Sequence, residues 1–169
     1  CGPVIRISVE GLSAVEQALS SLGEDMIPNV TEGMEQGLAR VVREAKKLCP
    51  VDTGELRGSI RAEVNKDASA VTGTVGSSKE YAVYVEMGTG DKGRESGGNG
   101  SPVKASYRTG RWFVPLKKTE MIEDTIVKES NGFWTTGQPA RPYLWPAWKA
   151  NREKVLASIR RAVLKGVRG

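Results

Sequence analysis

Pro28-Asn-Val-Thr-Glu-Gly-Met-Glu-Gln-Gly-Leu-Ala-Arg-Val-Val-Arg-Glu-Ala-Lys-Lys-Leu-Cys-Pro50, running straight into Val51-Asp-Thr-Gly-Glu-Leu-Arg57, is the stretch that decides the fold. Val30, Met34, Leu38, Val41, Val42, Ala45 and Leu48 recur at spacings of three and four, the period of an amphipathic helix of about five turns. Glu32, Glu35, Arg40, Arg43, Glu44 and Lys47 fall off that stripe. Pro28 sits where a first helical turn tolerates it, and Pro50 stops the helix. Gly33 and Gly37 lie one turn apart on one face and cost up to about 1 kcal/mol each relative to Ala. They are either tolerated flaws or the mark of close approach by another element or subunit. In the turn that follows, Asp52 is expected to bond backbone amides, and Gly54 to take a conformation closed to other residues. Leu56 and Ile60 are expected to enter the core, with Arg57 near the turn.

Working outward, Leu56–Val64 and Val71–Val75 read as an antiparallel pair of strands joined near 65–69. Upstream, the alternation in Val4–Val9 predicts a strand, and Ser13 with Glu16 forms a capping box for a short helix ending at Gly23. Tyr81–Met87 fits either a strand or a helical turn. Six glycines between Gly88 and Gly100 predict a flexible loop. Beyond it lie the apolar run Trp112-Phe113-Val114, the segment Met121–Lys128 as strand or helix, and Phe133-Trp134 before a turn. Residues 88–138 therefore read as a long excursion carrying aromatics, with Trp112, Phe113, Phe133 and Trp134 as interface candidates.

Pro139, Pro142 and Pro146 cannot all lie inside one helix and form an extended lead into the last one. Arg141, Tyr143, Leu144, Trp145 and Trp148 sit among them as packing anchors or as a contact surface, where Trp, Tyr and Arg dominate binding energy. Ala147, Ala150, Val155, Leu156, Ile159, Val163 and Leu164 give the final helix its stripe. Arg152, Lys154, Arg160, Arg161 and Lys165 populate its other faces, and basic residues in its last turns complement the helix dipole.

The expected fold is α+β: a small, mainly antiparallel sheet packed against a long helix, a C-terminal helix, and a single domain over 1–169 with its excursion at about 88–138. With 169 residues, a 38% hydrophobic share and 20 glycines, a modest core with long exposed loops is expected. The net charge is +5 and uneven. Residues 141–169 hold eight Lys or Arg against Glu153 alone, a net +7, so the remainder is slightly acidic. A basic end suits a polyanion or an acidic protein surface nearby, or simply a solvated helix face.

Catalysis finds little support. There is no histidine, which removes Ser–His and Cys–His pairs and the common zinc sites. A single Asp-Thr-Gly lacks the second carboxylate of an aspartic-protease site. Gly88-Thr89-Gly90 is too short to cradle phosphate; it reads as a hinge. Glu86 before it reads as a salt-bridge partner, an oligomer contact or a general base. Cys1 is compatible with a lipidated terminus or an N-terminal nucleophile, neither of which is adopted. Cys49 reads as a small buried hydrophobe, and two unpaired thiols suggest a reducing compartment. No catalytic residue, metal site or cofactor is expected, and no apolar run is long enough for a bilayer.

Three blocks in order carry a resemblance. Ala45-x-x-x-x-Pro-Val-Asp-Thr-Gly-x-Leu-Arg-x-Ser-Ile60, Tyr81-Ala-x-Tyr-Val-Glu-x-Gly-Thr89 and Gly137-Gln-Pro-Ala-Arg-Pro-Tyr-Leu-x-Pro-Ala147 together resemble the tail-component family of tailed bacteriophages and prophages, from about Pro28 to Leu164. Its members are described as neck, head–tail joining or tail-completion proteins. Carried onto this chain, the motif residues are Val51, Asp52, Thr53, Gly54, Leu56, Arg57, Tyr81, Tyr84, Val85, Glu86, Gly88, Thr89, Pro139, Ala140, Arg141, Pro142, Leu144, Pro146 and Ala147. The glycine-rich stretch Asp91–Ser101 departs from the family pattern. The resemblance implies a non-enzymatic structural protein of the virion, assembled in the host cytoplasm into a homo-oligomeric ring, six-fold favoured over twelve-fold. It implies neighbours among connector or head-completion and tail-terminator or tail-tube proteins. DNA crossing the lumen would meet basic side chains by nonspecific phosphate attraction. A stand-alone basic nucleic-acid-binding domain is the alternative, although there is no helix-turn-helix pair to support it.

Overall fold

The computed structural model describes residues 7–8, 26–66, 70–96, 105–115 and 132–167. The helix expected after Ser13 and the segment Met121–Lys128 lie outside them, as does most of the first strand. The chain forms two compact units. One comprises Cys1–Glu86 and Pro142–Gly169, and the other is Met87–Arg141.

In the first unit, the long helix forms as its periodicity predicts. Helix α1 spans Ile27–Leu48 and buries Val30, Gly33, Met34, Gly37, Leu38, Val41 and Ala45. Pro28 occupies its first turn, and Lys46 and Lys47 complement the dipole in its last. Cys49 turns extended, and Pro50, which has no N–H to donate, ends the helix. The sheet has the order β1-β3-β2, all antiparallel, with β1 at Ile7–Ser8, β2 at Ile60–Lys66 and β3 at Val71–Ser77. In β3 the burial alternates: Gly73, Val75 and Ser77 face inward while Thr72 is exposed.

Helix α1 is the shared element of this unit, and two adjacent rows of its side chains divide the work. Met34 and Leu38 press on Gly73 of β3, where a Cβ would lie 2.6 Å from the Leu38 Cδ1. Gly33 and Gly37 face the C-terminal helix α5, Leu144–Val167. A Cβ on Gly33 would lie 2.7 Å from the Ile159 Cα, and one on Gly37 would lie 2.9 Å from the Val155 Cα. The paired glycines therefore mark a close approach by another element of the same protomer. Val155, Ile159, Ala147, Leu144 and Tyr143 join Val30, Leu38, Val41 and Ile60 in one core, each large side chain contributing about 1.5–3 kcal/mol.

One local reading changes and one open choice is decided. Leu56 does not open a strand. Glu55–Ser59 forms a short helix, α2, before β2 starts at Ile60. Gly54 takes φ 84° and accepts the Gly58 N–H at 2.9 Å. Leu56 and Ile60 are both buried because a spacing of four puts both on one side of a helical turn. Tyr81–Met87 resolves as helix: α3 spans Ala82–Met87, buries Ala82 and Glu86 four apart, and leaves Tyr81 and Tyr84 exposed.

The second unit carries α4 at Gly90–Glu95 and a two-stranded antiparallel sheet, β4 (Trp112–Pro115) with β5 (Gly132–Thr135). Residues 97–100 of the flexible loop expected over Gly88–Gly100 lie outside the described residues, and Gly90–Glu95 is helical. Its glycines admit close contacts rather than slack: a Cβ on Gly93 would lie 2.7 Å from the Gly88 carbonyl carbon. Asp91 ties the helix down, accepting from Arg94 Nη2 at 2.7 Å and from the Gly110 N–H at 3.0 Å.

Candidate functional site

The three sequence blocks become three pieces of geometry. The decisive one is Glu86, which is 2% exposed. Its Oε2 accepts the backbone N–H groups of Tyr143 at 2.7 Å and Leu144 at 2.9 Å, and its Oε1 accepts that of Trp145 at 2.9 Å. A helix leaves its first four N–H groups without intrahelical partners. For α5 these belong to Tyr143, Leu144, Trp145 and residue 146. The fourth is a proline and has no N–H, so one carboxylate satisfies every donor at that helix end. Its negative charge also meets the positive end of the helix dipole. Glu86 is thus a long-range cap, a role the sequence reading did not assign. The clue was the proline spacing, which leaves only three donors in a row.

Tyr143, read as an interface anchor, is instead in the core, fully buried. Its hydroxyl has no hydrogen-bond partner among the described residues. Burial, then the nearby Glu86 charge, pushes the phenol well above its usual range. Cys49 is buried as expected. Burial raises its thiol pKa; Arg57 opposes this and Glu86 adds to it.

In the Asp-Thr-Gly turn, Val51, Asp52, Thr53 and Arg57 are exposed and Leu56 is buried. The side-chain acceptor there is Thr53, whose Oγ1 takes the Glu55 N–H at 3.4 Å, a long contact; Asp52 was expected to play that part. Glu55 in turn pairs with Lys79 at 2.6 Å, which brings the turn beside the segment leading to Tyr81. Both charges are on the surface, so the pair adds little stability, but it records the adjacency of the two motif blocks.

Where the chain leaves for the second unit and returns, Gly88-Thr89-Gly90 is laced to Thr136-Gly137-Gln138. The Thr89 N–H donates to the Gln138 carbonyl at 2.9 Å, and the Gln138 N–H donates to Thr89 Oγ1 at 3.1 Å. Gly137 has φ 105°, and a Cβ there would run into the Thr89 carbonyl oxygen. The Ala140 N–H reaches Ser96 Oγ at 3.0 Å. The hinge expected at Gly88-Thr89-Gly90 is one half of a closed clasp.

The aromatics of this unit split between two faces of the β4–β5 ribbon. Cross-strand partners Phe113 and Trp134 pack edge to face with ring centroids 5.7 Å apart, and both are exposed, Trp134 at 48%. The Arg111 guanidinium lies 5.1 Å from the centre of the Trp134 ring, within cation–π range. Trp112 and Phe133 are half-buried. Trp112, read as an interface residue, packs over Gly90 and beneath the Arg108 guanidinium at 5.2 Å, so it holds its own unit together. Pro139 and Arg141 are exposed, and Pro142 and Trp145 are half-buried.

On α5, Arg152, Lys154, Arg160, Arg161 and Lys165 are all exposed. Their spacing groups Lys154, Arg161 and Lys165 along one side of the helix, with Arg152 and Arg160 elsewhere on it. No group of His, Cys, Asp or Glu among the described residues could hold a metal ion. No helix among them is long and apolar enough to cross a membrane.

Residues 13–88 match the HK97-gp10-like family. Its description is "Bacteriophage HK97-gp10, putative tail-component". No curated protein and no solved structure matches the chain. The HK97-gp10-like stretch runs through α1, α2, β2, β3 and α3 and stops just past Glu86. The third block, 137–147, lies beyond the match, yet Glu86 bonds to it. The match is to phage tail components as a class, for which the virion is the natural location.

Proposed function

We propose that this chain is a structural virion protein that forms a homo-oligomeric ring at the phage head–tail junction, joining the connector to the tail and letting DNA pass. The observation that carries the reading is the exposed Phe113–Trp134 pair on the inserted unit. Its two aromatic rings lie side by side on a short ribbon with a guanidinium held over one of them. Such a rigid aromatic–arginine surface has the make-up of binding hot spots, and a ring requires a heterologous contact that closes on itself. The match to tail components supports the virion setting, and the exposed basic side chains of α5 suit a lumen through which DNA slides. Native mass spectrometry of the purified chain tests the proposal. A discrete closed oligomer, six-fold first among the expectations, supports it; a monomer at tens of micromolar overturns it.

The same basic side chains favour a second reading, a stand-alone DNA-binding domain. Micromolar or tighter binding of duplex DNA by the monomer at physiological salt would favour it over the ring.

A further inference from the structure

The protomer presents a second exposed aromatic surface, and it lies on the other unit. Val51 is 53% exposed, Tyr81 43% and Tyr84 50%. All three belong to the sequence blocks, yet none is needed to fill the core. The Lys79–Glu55 contact at 2.6 Å ties the Val51 turn to the Tyr81 segment, so these residues share one neighbourhood. Asp52 follows Val51 and Glu80 precedes Tyr81; both carboxylates are exposed, and neither has an ion-pair partner among the described residues. The ribbon of the inserted unit shows the opposite arrangement. On the Phe113–Trp134 face, Arg111 is exposed, stacks on Trp134 and makes no ion pair among the described residues. Stacking uses the flat face of a guanidinium and leaves its N–H edge available to a carboxylate.

The geometry points to these two surfaces being the halves of one heterologous contact between copies of this chain: the Phe113–Trp134 face with Arg111 of one subunit docks on the Val51, Tyr81 and Tyr84 face with Asp52 and Glu80 of the next. The inference rests on the ring reading above and deepens it by naming the faces. Both are aromatic, Arg111 on one faces Asp52 and Glu80 on the other, with Arg57 an opposing charge there, and they sit on different units of the chain. A contact between different patches is the kind that propagates from subunit to subunit. Charge complementarity fixes its register and rejects like-with-like pairing.

Two variants test it. In the first, Arg111→Glu makes the ribbon face acidic while the core face stays acidic. In the second, Asp52→Lys and Glu80→Lys make the core face basic while the ribbon stays basic. Each alone is expected to raise the concentration for half-assembly at least tenfold, because every junction then joins like charges. An equimolar mixture is expected to assemble, because alternating subunits restore opposite charges at every junction. Thermal melts establish that each variant folds, and the surface carboxylates of the second variant make it the safer of the two. Assembly of both variants at the wild-type concentration overturns the inference and leaves the ring reading standing. So does failure of two folded variants to rescue one another. A monomeric wild-type chain overturns both. If duplex DNA binds the wild type and not the Arg111→Glu variant, and assembly is unchanged, the ribbon serves a polyanion instead and the inference falls.

Discussion

The Glu86 carboxylate accepts the Leu144 N–H at 2.9 Å, across 58 positions of chain. With its bonds to Tyr143 and Trp145, it fixes the start of α5 to the end of α3. These are the two points where the first unit hands the chain to the second and takes it back.

Glu86→Ala should leave three N–H groups without their acceptor at a largely buried helix end, each costing about 1–3 kcal/mol. A total loss of at least about 3 kcal/mol is expected, lowering the melting temperature by roughly 6–12 °C for a chain of this size. Glu86→Gln keeps one acceptor oxygen and should lose less. Calorimetry of the three proteins checks the order; equal stability of wild type and Glu86→Ala would remove the cap from the account.

Gly33→Ala and Gly37→Ala separate two meanings of a helical glycine. On an open face, alanine would stabilise the helix by up to about 1 kcal/mol. Here its Cβ would meet the α5 backbone at 2.7 Å and 2.9 Å, and overpacking of that kind costs about 1–3 kcal/mol. Urea titration should find both variants less stable than wild type; a gain would mean that the helices are not in such close contact.

Tyr143 predicts a dependence on high pH. Its phenol is buried and raised above the ordinary value of 10.0, so the folded protein holds its proton after the unfolded chain has lost it. Stability is therefore fully present below pH 10 and declines as pH rises above it, by up to about 1.4 kcal/mol per unit from this group. Tyr143→Phe removes that decline. It also removes a buried hydroxyl with no described partner, so it should be as stable as wild type at pH 7 or more stable by about 1 kcal/mol. Denaturant midpoints between pH 7 and 11 compare the two.

Gly137→Ala should open the clasp. The position has φ 105°, where an L side chain is strained by about 1–3 kcal/mol, and its new Cβ would strike the Thr89 carbonyl. Limited proteolysis read by mass spectrometry should show cleavage within 87–141 accelerated at least tenfold. Identical digestion of variant and wild type would show that Thr89 and Gln138 close the unit without that glycine.

Much of this protein was determined by local sequence. The period of three and four from Val30 to Leu48 fixed α1, because a helix with one apolar stripe has one way to bury it. Pro50 ended it, and Gly54 placed the turn. Leu56 and Ile60 were correctly sent to the core, although the spacing of four that joins them belongs to a helical turn and not to the strand first read there. Tertiary structure decided the rest, because the remaining choices depend on atoms distant in sequence. Whether Gly33 and Gly37 were flaws or a contact was settled by the backbone of α5. Glu86 had no legible role until α5 brought three N–H groups to its carboxylate. Tyr143 and Trp145 are two residues apart in an aromatic, proline-rich run, and nothing in the run says that one is fully buried while the other stays half-exposed. That difference follows from the helical turn, which puts positions two apart about 200° round the axis.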